Sequence, residues 1–293
     1  MLTNSVFDDL RYWLRYGNIV IKLIAVNVAL FLVLIIASLI TEHSFLSQNL
    51  LNYVGVPADV ILLAHRPWTL ISYMFMHGGL VHLIFNMIGL YWFGEIFVLY
   101  LGERRVIPLY ILGGLAGALI YLAAFNLVPA FKPNVASSVL IGASGSIFAI
   151  MFAAVAINPE HKVNLLLFGE VKIGYIALGA LLIGAINMIN GSNQGGVMAH
   201  LGGALFGYIY IKALHSGTDI GSPVTKPIEG LKDLFSRRKK IKMTHKASGY
   251  VSKDAPGQDE QEQIDRILDK ISRSGYDSLS KEEKDFLFNY SKK

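Results

Sequence analysis

The 293 residues are 53% hydrophobic and only 16% charged, against about 25% charged in a soluble domain, and the mean hydropathy is +0.48. That composition excludes an ordinary water-soluble domain. A net charge of +5, with its bases clustered beside apolar segments, points to anionic lipid head groups rather than nucleic acid. The absence of cysteine excludes a disulfide framework, a thiolate nucleophile and a cysteine metal site.

In chain order, Phe7, Leu10 and Leu14 at helical spacing, beside Arg11 and Arg15, predict a helix lying on the membrane surface over residues 1–18. The run Ile19 to Ile40 is the first span, too long for a signal-peptide core. Residues 41–79, with Pro57, Pro67 and Gly78-Gly79, are too polar to cross lipid, and a connection this long points to function. Trp68 and Phe75 in it are placed to dip into the interface. Leu80–Leu101 is the second span, with Glu95 as its only acid, and Val106–Val128 is the third. Residues 129–139 form a Pro-containing loop, and the fourth span runs from Leu140 to Ile157. Val171–Ile189 is the fifth span, Asn190–Gly196 a short turn, and Val197–Leu214 the sixth. Each approaches the ~20 residues that cross a ~30 Å hydrocarbon layer.

Six spans put both termini on one side. Arg11, Arg15, Lys22, Arg104, Arg105, Lys162, Lys172 and Lys212 fall at one set of span ends, and only Arg66 and Lys132 at the other. The positive-inside rule makes the basic side, and both termini, cytoplasmic. Residues 1–216 hold 10 Lys/Arg and 8 Asp/Glu, and residues 217–293 hold 16 and 13, so a membrane body (19–216) precedes a polar tail. In that tail, residues 217–259 are a basic amphipathic segment and linker: Ile228, Leu231, Leu234 and Phe235 precede the bases at 237–240. Over residues 260–293, Ile264, Ile267, Leu268 and Ile271 on one face, Gly275 as a stop, and a Ser280–Glu283 capping box predict a cytosolic helical hairpin.

Spans two, four and six begin on the same outer side, which permits a geometric test. At 1.5 Å per residue, Ser144 lies about 6 Å below the start of span four and His200 about 5 Å below that of span six. His82 and Asn86, one turn apart on span two, lie at about 3 and 9 Å. All four polar groups therefore share one shallow layer. Gly203 and Gly207 form a small-xxx-small pair that would draw span six against Gly145 and Ala149 of span four. A serine hydroxyl becomes a nucleophile when an imidazole takes its proton. No aspartate lies in any span, so Ser144 and His200 would form a dyad rather than a triad. His82, Asn86 and the Ser144 N–H are the candidate oxyanion donors. Glu95 is expected to neutralise a nearby base or face the cytoplasmic rim, and His77 to be structural. No metal ion or cofactor is implied.

Gly142-Ala143-Ser144-Gly145, Ala199-His200-Leu201-Gly202-Gly203 with Gly207, and His82-x-x-x-Asn86 together resemble the rhomboid intramembrane serine proteases, in order and spacing over Ile19 to Leu214. The resemblance implies an all-α, six-helix membrane bundle with Ser144 as nucleophile and His200 as base. It also implies oxyanion binding by His82 and Asn86, a partly embedded first loop, a cap from residues 190–196, and a lateral gate involving span five. Its substrates would be single-pass membrane proteins cut near their outer boundary, in a bacterial plasma membrane. Two positions depart from the family: Thr69 follows Trp68 where arginine is frequent, and Phe148 stands where tyrosine is frequent. The hairpin resembles an appendage of some bacterial rhomboids of the Bacteroidetes type. The competing reading is a catalytically silent relative that binds or escorts membrane proteins. A transporter would need broken helices or inverted repeats, and neither is present in the sequence.

Overall fold

The structure, a computed structural model, describes residues 6–41, 53–165, 169–190, 193–235 and 258–290. The chain divides into two compact units, Met1–Arg237 and Arg238–Lys293.

The first unit is an all-α polytopic membrane bundle. Helix α1 (Val6–Tyr16) leads through Gly17-Asn18 into α2 (Ile19–Thr41). Tyr12, Trp13 and Tyr16 are exposed on α1, whereas the side chains of Phe7, Leu10 and Leu14 lie outside the described ones. The connection that follows holds a two-residue strand β1 (Val56–Pro57) and short helices α3 (Val60–His65) and α4 (Thr69–Ser72). Then come α5 (Leu80–Leu101), α6 (Val106–Leu127), strand β2 (Val139–Leu140) and α7 (Ser144–Ile157). A hairpin of β3 (Lys162–Leu165) and β4 (Gly169–Lys172) precedes α8 (Ile173–Ile189) and α9 (Gln194–His215). Helix α10 (Ser222–Phe235) closes the unit. Its apolar side chains at 228, 231, 234 and 235, and the basic run at 237–240, lie outside the described residues.

Among the described residues, four helical segments are long and apolar enough to cross a membrane: Ile19–Ala37, Leu80–Leu101, Glu103–Leu127 and Gln194–His215. Helices α7 and α8 are apolar but shorter, at 14 and 17 residues. The fourth expected span is thereby corrected. The helix starts at Ser144 rather than Leu140, because Leu140 pairs with Val56 and Val139 with Pro57 in an antiparallel ladder and Ala143 is the helix cap. Helix α7 then rises only about 21 Å. The fifth begins at Ile173, two residues later than expected, because residues 169–172 pair with 162–165.

Packing explains the order of the helices. Small residues on α6, α7 and α9 let three backbones approach closely, as in membrane bundles where lipid supplies no hydrophobic drive between helices. A side chain at Gly203 would collide with the Gly145 carbonyl, and one at Gly207 with the Ala149 carbonyl. One at Gly117 would stand 2.8 Å from the Ala199 carbonyl. Four tyrosines, Tyr73, Tyr110, Tyr121 and Tyr210, fill the buried interior. The outer surface is apolar: Phe85, Leu99 and Ile189 are 72%, 71% and 81% exposed. That face belongs against lipid tails. Glu95 is held by the amide of Asn18, which donates to its Oε1 at 2.6 Å. Of the two expectations for Glu95, the base partner is replaced by a neutral amide. At the far end of the bundle Arg104 pairs with Glu229 of α10 at 2.6 Å.

The second unit is a helical hairpin, α11 (Gln258–Ser274) and α12 (Lys281–Tyr290). Ile264 and Ile267 are buried with Leu279, while Leu268, expected on the same face, is 51% exposed. Gly275 ends α11 at φ +78°. The Ser280 N–H donates to Glu283 at 2.7 Å and the Glu283 N–H to the Ser280 hydroxyl at 3.3 Å, which is a reciprocal cap.

Candidate active site

Ser144 is the first residue of α7, preceded by Ala143 as its cap, so its N–H carries no intrahelical bond. The expected burial one turn inside the helix is corrected: the side chain stands at the helix mouth. The extended segment before it is fixed by long-range bonds. The Ala58 N–H donates to the Ser138 carbonyl at 3.0 Å, and the Gly142 N–H to the Tyr73 carbonyl at 2.9 Å. The Tyr73 phenol donates in turn to the Gly114 carbonyl of α6 at 2.6 Å. Gly142 adopts φ +121°, a conformation side-chain-bearing residues rarely hold.

His200 sits in the second turn of α9. Its Nε2 lies 2.8 Å from Ser144 Oγ, within the reach that proton transfer needs. The ring of Phe148 stacks under the imidazole with centroids 4.2 Å apart and planes within 8°. Stacking thus remains at the position where the proteins this chain resembles frequently carry tyrosine. His200 Nδ1 is buried and has no hydrogen-bond partner. No acidic residue orients it among the described residues.

His82 is the third residue of α5. The Gly78 N–H donates to its Nδ1 at 3.2 Å, which leaves the ring proton on Nε2. A side-chain carbon placed on Gly142 would stand 3.0 Å from His82 Nε2 and 3.7 Å from Ser144 Oγ. The space that Gly142 leaves open therefore lies between the hydroxyl and the His82 N–H. Asn86 is 6% exposed, and its amide donates to the His82 carbonyl at 2.8 Å. One of its two amide hydrogens remains uncommitted. His77 packs edge-on to His82, centroids 5.3 Å apart, with both ring nitrogens buried and unpaired. Burial, then the neighbouring His82, hold its imidazole down to about 4.

These groups line one cavity of about 460 Å³ that contains Ser144, His200, His82 and Asn86. Its apolar wall includes Phe85, Ile147, Phe148 and Met151, and α8 contributes Ala180, Ile183, Gly184 and Asn187. Asn193, in the left-handed region at φ 51°, and Gly196 also line it. The structure thus brings all four sequence-selected residues together, and it adds Asn187. That residue had a signal: among the residues of α8 it is, with Tyr175, one of two that carry a polar side chain.

Comparison with known proteins agrees with this arrangement. The family model described as Rhomboid domain matches residues 64–217, and one described as a family of unknown function matches residues 258–293. The chain is 28% identical over 207 residues to RHOMBOID-like protein 12, mitochondrial, of Arabidopsis thaliana, covering 66% of this chain and 58% of that protein. It is 30% identical over 139 residues to Presenilin-associated rhomboid-like protein A, mitochondrial, of Danio rerio, covering 47% and 35%. Against Rhomboid-related protein 1 of Caenorhabditis elegans it is 30% identical over 159 residues, covering 49% and 40%. The chain therefore spans between about a third and three fifths of the length of these curated relatives. With the domain match extending over more than half of its residues, this chain belongs to the rhomboid family.

Proposed function

We propose that the protein is an intramembrane serine endopeptidase acting through a Ser144–His200 dyad. The observation that carries this reading is the 2.8 Å approach of Ser144 Oγ to His200 Nε2 inside a cavity walled by apolar helices. A hydroxyl at that distance donates its proton to imidazole as the oxygen attacks a carbonyl carbon. The carbonyl oxygen then becomes an oxyanion, in the space at Gly142. The Nε2–H of His82, the free amide hydrogen of Asn86 and the Ser144 N–H are its donors, and the uncommitted end of α7 adds a favourable dipole. The peptide nitrogen leaves with the proton that His200 took, and an ester on Ser144 remains. Water, activated by the same imidazole, hydrolyses that ester and regenerates the hydroxyl. With no carboxylate on Nδ1, the stacked Phe148 ring fixes the plane of the base.

The substrates proposed are single-pass membrane proteins, which reach a cavity of this kind sideways through lipid. The bases at the Arg104, Lys162 and Lys212 ends support a cytoplasmic placement of that side and of both termini. Residues 1–18, 19–216, 217–259 and 260–293 are proposed as surface helix, membrane domain, linker and appended hairpin. The test is labelling by a serine-directed fluorophosphonate alongside cleavage of a transmembrane reporter. Both are expected in the native protein, and both are expected to vanish in Ser144→Ala. Cleavage that survives Ser144→Ala would end the protease reading. Absence of labelling in the native protein would favour a silent, client-binding relative.

A further inference from the structure

The wall that α8 presents to the cavity is a single stripe: Ala180, Ile183, Gly184 and Asn187, at i, i+3, i+4 and i+7. Three of these residues offer nothing polar. Asn187 stands one turn beyond Gly184, where an added side chain would lie 3.8 Å from His200 Nδ1. The amide is thus about 4.5 Å of helix rise from the level of the dyad.

Asparagine in an apolar helix usually satisfies its amide on its own backbone, and this bundle follows that rule elsewhere. The amide of Asn27 donates to the Leu23 carbonyl, that of Asn86 to His82 and that of Asn126 to Leu122, all at 2.8–2.9 Å. Asn187 makes no such bond, nor any other among the described residues. Asn187 is exposed on α8, so its amide is open to a polar partner entering the cavity, which leucine or isoleucine could not engage.

A peptide bond can be attacked only after its segment has left the helical form, because the helix shields its own carbonyls. Leaving the helix frees an N–H and a C=O at every residue, and lipid offers neither a partner. An asparagine side chain carries one donor group and one acceptor in the geometry of a peptide unit. It can therefore accept from one backbone N–H and donate to one backbone C=O of an extended segment, whatever that segment's side chains.

We infer that Asn187 is a substrate-positioning residue, pairing with a backbone peptide unit of the unwound substrate next to the bond being cut. This rests on the protease reading. It assigns to α8 one wall of an extended-chain site whose other wall carries Ser144, His82 and Asn86.

The experiment replaces Asn187 by Leu and by Ala in the full-length protein. It follows fluorophosphonate labelling of Ser144, the melting temperature, and kcat/KM on a single-pass reporter that the native protein cleaves. Labelling and melting temperature are expected to stay at native values in both variants. Cleavage is expected to fall about tenfold, the equivalent of about one lost hydrogen bond, and Asn187→Gln is expected to recover part of it. Native cleavage by both Asn187→Leu and Asn187→Ala would overturn the inference. So would a parallel loss of labelling and cleavage, which would place the amide on His200 instead. Failure of the native protein to label would instead remove the protease reading, and this inference with it.

Discussion

Helices α7 and α8 follow each other in the chain and are equally apolar, yet they hold opposite places in the bundle. On α7, nine of 14 residues are buried, and the carbonyls of Gly145 and Ala149 lie against glycines of α9. On α8, only Ile173 and Ala177 are buried, both near its start, and Leu182, Ile186 and Ile189 are more than half exposed. Hydrophobicity alone therefore fixes neither burial nor rigidity in lipid. Small residues at the contact do, because close backbone approach is what membrane helices gain from packing. Ser144 and His200 sit on the locked pair, and the loosely held helix faces them across the cavity. Local stability follows contact density, so amides of α8 are expected to exchange hydrogen faster than those of α7.

The comparison breaks most visibly at the dyad. Ser144→Ala and His200→Ala are each expected to lower reporter cleavage by on the order of a thousandfold or more while leaving the melting temperature near native. A fall in melting temperature would make the pair structural. Next come two identical substitutions on different helices. Gly207→Ala would drive a methyl into the Ala149 carbonyl, at an expected cost of about 2 to 3 kcal/mol. Gly184→Ala meets only ordinary contacts at 3.7 and 3.8 Å, and thermal unfolding should barely change. Equal losses would show that α8 is as tightly packed as α9.

A smaller effect concerns pH. His77 is buried against His82 and is held neutral down to about 4. The unfolded chain binds a proton there near 6.5, so between pH 6.5 and 4 the unfolded state binds more protons and stability falls with acidification. The loss from pH 7 to 5 is expected to be about 1 to 2 kcal/mol, and His77→Gln should flatten that part of the melting profile. The smallest effect lies at the base of α8. Glu160 pairs with Lys172 at 2.5 Å on a solvent-facing turn, and exposed pairs contribute little. Glu160→Gln is expected to leave the melting temperature unchanged; a marked fall would mean that α8 is anchored there.

How much of this was legible in the sequence depended on the range of the interactions involved. Span α5 has the bounds its apolar run suggests, Leu80–Leu101, because a helix satisfies its own backbone. The neighbourhood of Ser144, His200, His82 and Asn86 followed from helix phase and the parity of the crossings. The segment 140–143 did not, since its residues are as apolar as the helix they precede. Its start is held out of the helix by the pairing of Leu140 with Val56 and of Val139 with Pro57, more than 80 residues earlier, a pairing no local pattern encodes. The β3–β4 hairpin leaves no mark in the sequence, because four-residue strands have no periodicity to read. Leu268 looked like core by spacing, but the short α12 leaves it uncovered. The polarity of Asn187 on an apolar helix is visible in the sequence, but its role is not, because it depends on the cavity that α8 lines.

Helix α9 is wedged between α6 and α7, and it is the last of these three to be synthesised. A chain stopped anywhere before residue 200 holds the Ser144 hydroxyl without the His200 imidazole that approaches it. On the protease reading proposed above, the hydrolytic pair is thus completed only when α9 slides home, and an unfinished molecule stays harmless to the membrane that is receiving it.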